Sequence, residues 1–97
     1  MTVCLIATLN VQDGKSGDFE QLMADLTRKV RAEEPGCIAY QLTKSRTEAH
    51  TYKVLEVYKD QAARAAHGQS AHFQAAFPAI RAVLAGPPST EELDGLD

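Results

Sequence analysis

Two spacings of apolar residues divide the chain into strands and helices. Apolar residues follow the two-residue alternation of strands over residues 3–11, 37–43 and 51–58. After the first and the third of these segments they recur every three or four positions, as on one face of a helix. The pattern therefore predicts the order strand, helix, strand, strand, helix.

The first helix is marked by its two ends and by one apolar stripe. Ser16 follows a Gly-containing turn and is the predicted N-cap, and Asp18 suits the positive end of the helix dipole. Pro35-Gly36 ends the helix. The stripe is wide enough to pack on a sheet and consists of Phe19, Leu22, Met23, Leu26 and Val30.

The second helical region carries several signals of interruption. Asp60 is the predicted cap of a short Ala-rich helix that Gly68 interrupts, and Ser70 is the predicted cap of the helix that follows. Pro78 lies inside the later stripe and lacks a backbone N–H, so we expect a kink or a break there.

This order of elements predicts an α+β fold of the ferredoxin-like split β-α-β type (βαββαβ), with both helices on one face of an antiparallel sheet. The strands are apolar on both sides, so a single subunit would expose a hydrophobic sheet face. We therefore expect a homodimer packed sheet to sheet, although a heterodimer would satisfy the same argument. One domain is expected over 1–97, with a core at about 3–85 and an acidic tail, 86–97, that either adds an edge strand or stays loose.

Composition excludes several classes of function. The chain has 97 residues and a net charge of −3 without a basic run, which argues against a nucleic-acid partner. No apolar stretch reaches the ~20 residues of a membrane span. The N-terminus does not resemble a signal peptide, so a cytoplasmic location is expected. Cys4 and Cys37 are isolated and match no metal or redox spacing, so reduced thiols are expected.

Candidate chemistry is concentrated between Glu56 and Phe73. Glu56 shares one side of a strand with apolar residues, and a carboxylate there needs a partner or water. His72 lies in the first turn after Ser70 and offers a partner, with His67 five residues earlier. These groups predict an acid–base site. The alternative is that Glu56 lies at an exposed edge and both histidines are solvated. A zinc site is not expected, because Gly68 separates the histidines.

The chain resembles the antibiotic biosynthesis monooxygenase family. The resemblance rests on E-x-Y at residues 56–58, on H-x-x-S-x-H-F at residues 67–73, and on the turn EEPGC at residues 33–37. It covers roughly residues 3–84. It implies a dimeric α+β barrel with a small pocket in each subunit. Family members oxidise quinols or polycyclic phenols with O₂ and need no metal, flavin or haem, so the implied partners are an aromatic substrate and O₂.

The resemblance also implies roles for particular residues. His72 is the candidate base or acid, Glu56 orients or charges it, and His67 is a second imidazole at the pocket mouth. Further contacts to substrate are expected from Asn10, Tyr40, Tyr58 and Phe73. Asn10 has the alternative role of closing the first strand, and the tyrosines that of lining a dimer interface.

One departure from the family affects the choice of function. Some members that handle oxygen, including those that degrade haem, use a pocket Trp, and this chain has none. Two other functions therefore stay open: a non-redox isomerase or tautomerase that uses the same acid–base pair, and a non-catalytic dimer that binds a small apolar ligand.

Overall fold

Four antiparallel strands and three helices make up the chain. The structure is a computed structural model that describes residues 1–97. The sheet order is β2-β3-β1-β4. The elements are β1 (Val3–Asn10), α1 (Ser16–Glu33), β2 (Cys37–Lys44), β3 (Thr51–Tyr58), α2 (Gln61–Gln69), α3 (Ala71–Ala82) and β4 (Ser89–Asp94). The predicted ferredoxin-like α+β fold is confirmed.

The acidic tail supplies the last strand. β4 pairs antiparallel with β1, from Val3 opposite Asp94 to Thr8 opposite Ser89. Of the two alternatives for the tail, the edge strand is the one observed, and the sheet extends beyond the predicted core limit near residue 85. All six residues of β4 are exposed, so backbone hydrogen bonds to β1 position it rather than a buried apolar face.

The helices cover one face of the sheet. On β3 the side chains of Tyr52, Val54, Glu56 and Tyr58 point toward the helices and are buried. Lys53 and Leu55, which alternate with them, are exposed. The apolar stripe of α1 packs on the covered face. The central core consists of Leu9, Val11, Phe19, Met23, Leu26, Val30, Tyr40, Tyr52, Val54, Ile80 and Leu84.

The other sheet face, here called the outer face, consists of Cys4, Ile6, Leu55, Val57 and Leu93. Strand register places these side chains side by side, because Cys4 is opposite both Val57 and Leu93, and Ile6 is opposite Leu55. Leu55 and Leu93 are 43% and 40% exposed. The apolar face predicted from the alternation is therefore present. None of the helices is both long and apolar enough to cross a membrane.

Two of the three predicted helix caps are observed. The side chain of Asp60 accepts a hydrogen bond from the Ala63 N–H at 2.8 Å, and that of Ser70 accepts one from the Phe73 N–H at 3.2 Å. The prediction for Ser16 was wrong. Lys15 occupies the N-cap without a side-chain cap bond, and Ser16 Oγ lies 3.3 Å from Nδ1 of His50 instead.

The break between α2 and α3 falls at Ser70, which has extended backbone angles. Gly68 itself lies within α2, one residue before its end. α3 continues through Pro78 to Ala82, so no break occurs at the proline. The change of direction at Ser70 places the ends of two helices next to each other, and this junction carries both His67 and His72.

Candidate active site

An apolar cavity of about 190 Å³ lies between the sheet and the helices. Sixteen residues line it, ten of them hydrophobic. The polar side chains among them are few: Glu56 and Tyr40 from the sheet, Thr90 from β4, and Arg64 and His67 from α2. A mostly apolar pocket with a few convergent polar groups is the usual form of a small-molecule site.

His67 belongs to the cavity wall and is fixed from behind by a carboxylate. Its Nδ1 lies 2.9 Å from Oε2 and 3.1 Å from Oε1 of Glu34, the residue that follows α1. The chain can bring Glu34 this close because Gly36 has no side chain. A Cβ at Gly36 would lie 2.6 Å from the Cβ of Ala63 in α2. His67 is only 4% exposed.

The second histidine contacts the same carboxylate. Nε2 of His72, in the first turn of α3, lies 2.5 Å from Oε2 of Glu34. The side chains of Glu34, His67 and His72 are 10%, 5% and 10% exposed. We call these three residues the His–Glu–His cluster. The predicted pairing of His72 with Glu56 was wrong, because Glu34 takes that place.

Glu56 is buried in the sheet wall and pairs with a tyrosine. The Tyr58 hydroxyl donates a hydrogen bond of 2.5 Å to Oε1 of Glu56. Burial raises the pKa of the Glu56 carboxyl, and the Tyr58 hydrogen bond and nearby His67 only partly oppose the rise. Burial also raises the pKa of Tyr58 and of Tyr40 well above the ordinary value. The alternative of an exposed, solvated Glu56 is excluded.

Aromatic rings surround the His67 imidazole. The ring centroids of Phe73, Tyr40 and Tyr58 lie 5.0, 5.3 and 5.8 Å from that of His67. Glu34 engages Nδ1, and Nε2 makes no hydrogen bond within the chain. Nε2 is therefore the nitrogen left to act on a bound molecule. Its surroundings are apolar and shielded from water.

Arg64 brings a positive charge to the cavity that sequence patterns did not reveal. Its Nε is buried and has no hydrogen-bond partner. Glu92 Oε1 lies 3.3 Å away, close enough for an ion pair but without the alignment of a hydrogen bond. An unpaired buried donor is costly, so a ligand oxygen at this position would gain a hydrogen bond.

The four predicted substrate contacts differ in position. Tyr40 and Phe73 line the cavity. Tyr58 does not line it but holds Glu56, and both tyrosines are buried inside the subunit rather than at a rim. Asn10 is exposed and outside the cavity. Its Oδ1 accepts from the Thr51 hydroxyl at 2.9 Å, so it closes the first strand, as the alternative held.

Glu34, like Arg64, is a site residue that the sequence analysis missed. A signal for it was present, since Glu33 and Glu34 stand at the C-terminal end of α1, where the helix dipole disfavours a negative charge. A carboxylate at that end needs another stabilising partner. The structure provides two imidazoles.

The sequence and the structure of the chain are both similar to those of known proteins of one family. The family described as "Antibiotic biosynthesis monooxygenase" matches residues 2–79. "Putative monooxygenase YcnE" of Bacillus subtilis (strain 168) is 33% identical over 85 residues, which cover 88% of each chain.

Solved structures extend the comparison. A crystal structure titled as a putative antibiotic biosynthesis monooxygenase from Caulobacter crescentus CB15 is 45% identical, with a TM-score of 0.97 over 99% of this chain and 91% of that one. SnoaB, titled as a cofactor-independent oxygenase from Streptomyces nogalater, has a TM-score of 0.84 at 19% identity, over 99% and 94% of the two chains. The second likeness concerns the fold alone.

Proposed function

Because the chain belongs to the antibiotic biosynthesis monooxygenase family, we propose that it oxidises a small hydroquinone or related phenol with O₂, without an added organic cofactor. The observation that carries the proposal is the setting of His67. This residue lines an apolar cavity, its Nδ1 is held by Glu34, and its Nε2 has no partner within the chain. Such an imidazole is oriented to remove a proton from a phenol.

The reaction requires little from the protein beyond this proton transfer. His67 takes the hydroxyl proton, and the electron-rich phenolate passes an electron to O₂. The radical pair joins to form a C–O bond, and loss of water leaves one substrate oxygen more than before. For a hydroquinone the balance is hydroquinone plus O₂ giving a hydroxyquinone plus water. An apolar wall favours this sequence because it keeps water away from the reactive anion.

Cavity size limits the substrate. A protein cavity of about 150 Å³ holds benzene. The cavity here, about 190 Å³, therefore suits one aromatic ring with small substituents rather than a polycyclic phenol. Phe73 and Phe77, whose rings lie 5.3 Å apart and nearly stacked, supply flat apolar surface for such a ring.

Arg64 and Glu56 complete the proposed site. The buried Nε of Arg64 suits a phenolate oxygen as a hydrogen-bond donor. Glu56 has a raised pKa and is available as a proton donor to a reduced oxygen species. His72 takes no part in the cavity and instead holds Glu34 in place.

The functional unit proposed is a homodimer joined through the outer face. Leu55 lies at the centre of that face, opposite Ile6 on β1. The protein should elute as a dimer in size-exclusion chromatography with light scattering. Leu55→Lys should shift it to monomer, whereas Glu48→Lys in the exposed hairpin should not. A wild-type monomer at micromolar concentration would contradict this assembly.

The activity is tested with metal-free protein and a panel of mono-, di- and tricyclic hydroquinones, with O₂ uptake as the readout. We expect uptake above the spontaneous rate for monocyclic substrates, accompanied by a hydroxyquinone product. His67→Gln should lose the enzymatic part. His50→Asn is the matched control, since His50 lies outside the cavity and has a positive φ of 66° that Asn tolerates. Absence of uptake across the panel would refute the proposal.

A second candidate is proton transfer without oxidation, in an isomerase or tautomerase. The specific observation that favours it is the contrast between two cavity groups: an imidazole with a free nitrogen, and a carboxyl group whose pKa burial raises. Anaerobic conversion of an enolisable ketone, measured by deuterium exchange, would support it. Ligand binding unchanged in His67→Gln, with neither activity, would instead indicate a non-catalytic binding protein.

A further inference from the structure

We propose that the His–Glu–His cluster is a binding site for a divalent cation of the zinc type. Glu34, His67 and His72 offer one carboxylate oxygen and two imidazole nitrogens, and these ligand atoms all lie within 4.8 Å of one another. Two histidines and one carboxylate are a set that Zn²⁺ and similar ions accept, with a remaining position for water.

The geometry requires only a small adjustment. Ligands about 2.1 Å from a tetrahedral ion are separated by about 3.4 Å. The carboxylate oxygen of Glu34 now lies 2.9 Å from His67 Nδ1 and 2.5 Å from His72 Nε2. These two distances must therefore grow by less than 1 Å, and the distance between the two imidazole nitrogens, now within 4.8 Å, must come to about the same value. The expected separation of the two histidines by Gly68 does not occur, because the turn at Ser70 folds α3 back beside the end of α2.

Charge and burial favour a cation at this position. Glu34 forms ion pairs with His67 and His72 alone. All three side chains are at most 10% exposed. When both imidazoles are neutral, a carboxylate charge is buried without a countercharge. Burial raises the pKa of nearby Cys37 to about 11, with smaller contributions from the charges of Glu34 and Glu56, so the field of a second carboxylate also reaches this region.

The ion would bind outside the cavity, on the Nδ1 side of His67. His67 lines the cavity, but Glu34 and His72 do not. In the proposed active form, Nδ1 of His67 carries a proton that is hydrogen-bonded to Glu34. A cation bound to Nδ1 would replace that proton. Metal-bound protein should therefore be a poorer base. This consequence rests on the proposed function, whereas binding of the ion does not.

The test is titration of metal-free protein with Zn²⁺ by calorimetry and with Co²⁺ by visible absorption. We expect one ion per chain, with proton release below pH 7 because protonated imidazoles must lose their proton to bind. His72→Gln should weaken binding at least tenfold, since it removes one ligand outside the cavity. His50→Asn, which alters a half-exposed histidine at the hairpin, should bind like wild type.

Two results would overturn the site. One is no saturable binding below 1 mM, and the other is equal affinity of wild type and His72→Gln. Thermal melting of both variants without metal checks that they are folded, and Glu34→Asp gives a second ligand variant if His72→Gln melts early. Hydroquinone oxidation by metal-free protein is measured separately, so either proposal can fail without the other.

Discussion

The cavity lies between a sheet wall, which contains Glu56, and a helix wall, where Glu34 contacts His67 from outside the cavity. On the sheet wall Glu56 receives a hydrogen bond from the neutral Tyr58 hydroxyl. On the helix wall Glu34 contacts two imidazoles, which can carry a positive charge. Both acids are shielded from water, yet only Glu34 is in direct contact with side chains that can carry a positive charge.

This difference separates two chemical roles. A carboxylate beside an imidazole orients that ring and stabilises its protonated form, so Glu34 supports a base. A carboxyl group with a raised pKa and only a hydroxyl partner tends to keep its proton, so Glu56 supports an acid. In the proposed function, His67 supported by Glu34 accepts a proton in the cavity, and Glu56 donates one. Substitutions of His67, Glu34, Arg64 and Glu56 test these roles.

The largest effect should follow from removing the base. His67→Gln keeps a polar side chain of similar size but cannot accept a proton at neutral pH. We expect kcat/KM for hydroquinone oxidation to fall by about 10²–10⁴-fold, the usual range for a general base. Stopped-flow O₂ uptake measures it, with His50→Asn as control. A loss below fivefold would remove His67 from the reaction.

Removing the charge of Glu34 should cause a smaller loss of activity. Glu34→Gln keeps the shape of the side chain but no longer stabilises a protonated His67. We expect kcat to fall by about 10–100-fold while KM changes little, since Glu34 does not touch the cavity. The acidic limb of the pH profile of kcat should also shift to lower pH, because loss of the Glu34 charge removes an interaction that favours a protonated imidazole. An unchanged pH profile would mean that Glu34 is only structural.

Arg64, the positively charged residue of the cavity, should affect substrate binding more than turnover. Arg64→Met keeps much of the apolar stem and removes the unpaired Nε donor. We expect KM for a hydroquinone to rise by about 5–10-fold, which corresponds to one ordinary hydrogen bond of about 1–1.4 kcal/mol. Initial rates over a range of substrate concentrations measure it. An equal loss with a substrate analogue that lacks hydroxyl groups would show that packing, not the donor, is responsible.

Glu56, in the sheet wall, should make the free energy of unfolding depend on pH. Because burial raises the pKa of Glu56, the native state binds more protons than the unfolded state from the unfolded pKa, near 4.5, up to the folded one. The free energy of unfolding contributed by Glu56 therefore falls as pH rises through that interval. Glu56→Gln does not titrate, so its free energy of unfolding relative to wild type should be higher at pH 7 than at pH 4.

Urea unfolding at these two pH values measures the change. Glu48→Gln, the same substitution at an exposed position of the hairpin between β2 and β3, is the matched control and should show no such gain. A gain for Glu56→Gln that is equal at pH 4 and pH 7 would show that titration of Glu56 is not the cause.

Sequence patterns were sufficient for most of the fold. The alternation on β3 correctly placed Tyr52, Val54, Glu56 and Tyr58 on one face, because a strand covered by helices must bury every second residue. Ser70 and Asp60 were identifiable as caps from their residue type. β4 stayed undecided because all its side chains are exposed, so no hydrophobic alternation marks it.

The site was only partly predictable, and the reason is physical. Glu56 was identified because a carboxylate within an apolar strand is unusual, whereas Tyr40 and Phe73 were candidates through the family resemblance. The structure places these three and His67 along the cavity. The link through Glu34 depends on how closely α1, α2 and α3 approach, which Gly36 permits through its contact with Ala63. Spacing along the chain does not encode that approach, so His72 was assigned to the wrong carboxylate.

Ionisation of a bound phenol tests the central claim most directly, because it needs neither O₂ nor turnover. A chromogenic nitrophenol is titrated into wild type and His67→Gln, anaerobically, at a pH where the free compound is mostly protonated. If His67 is the base, wild type should show the absorption of bound nitrophenolate and His67→Gln that of bound neutral nitrophenol. Identical spectra for the two bound states would contradict the account.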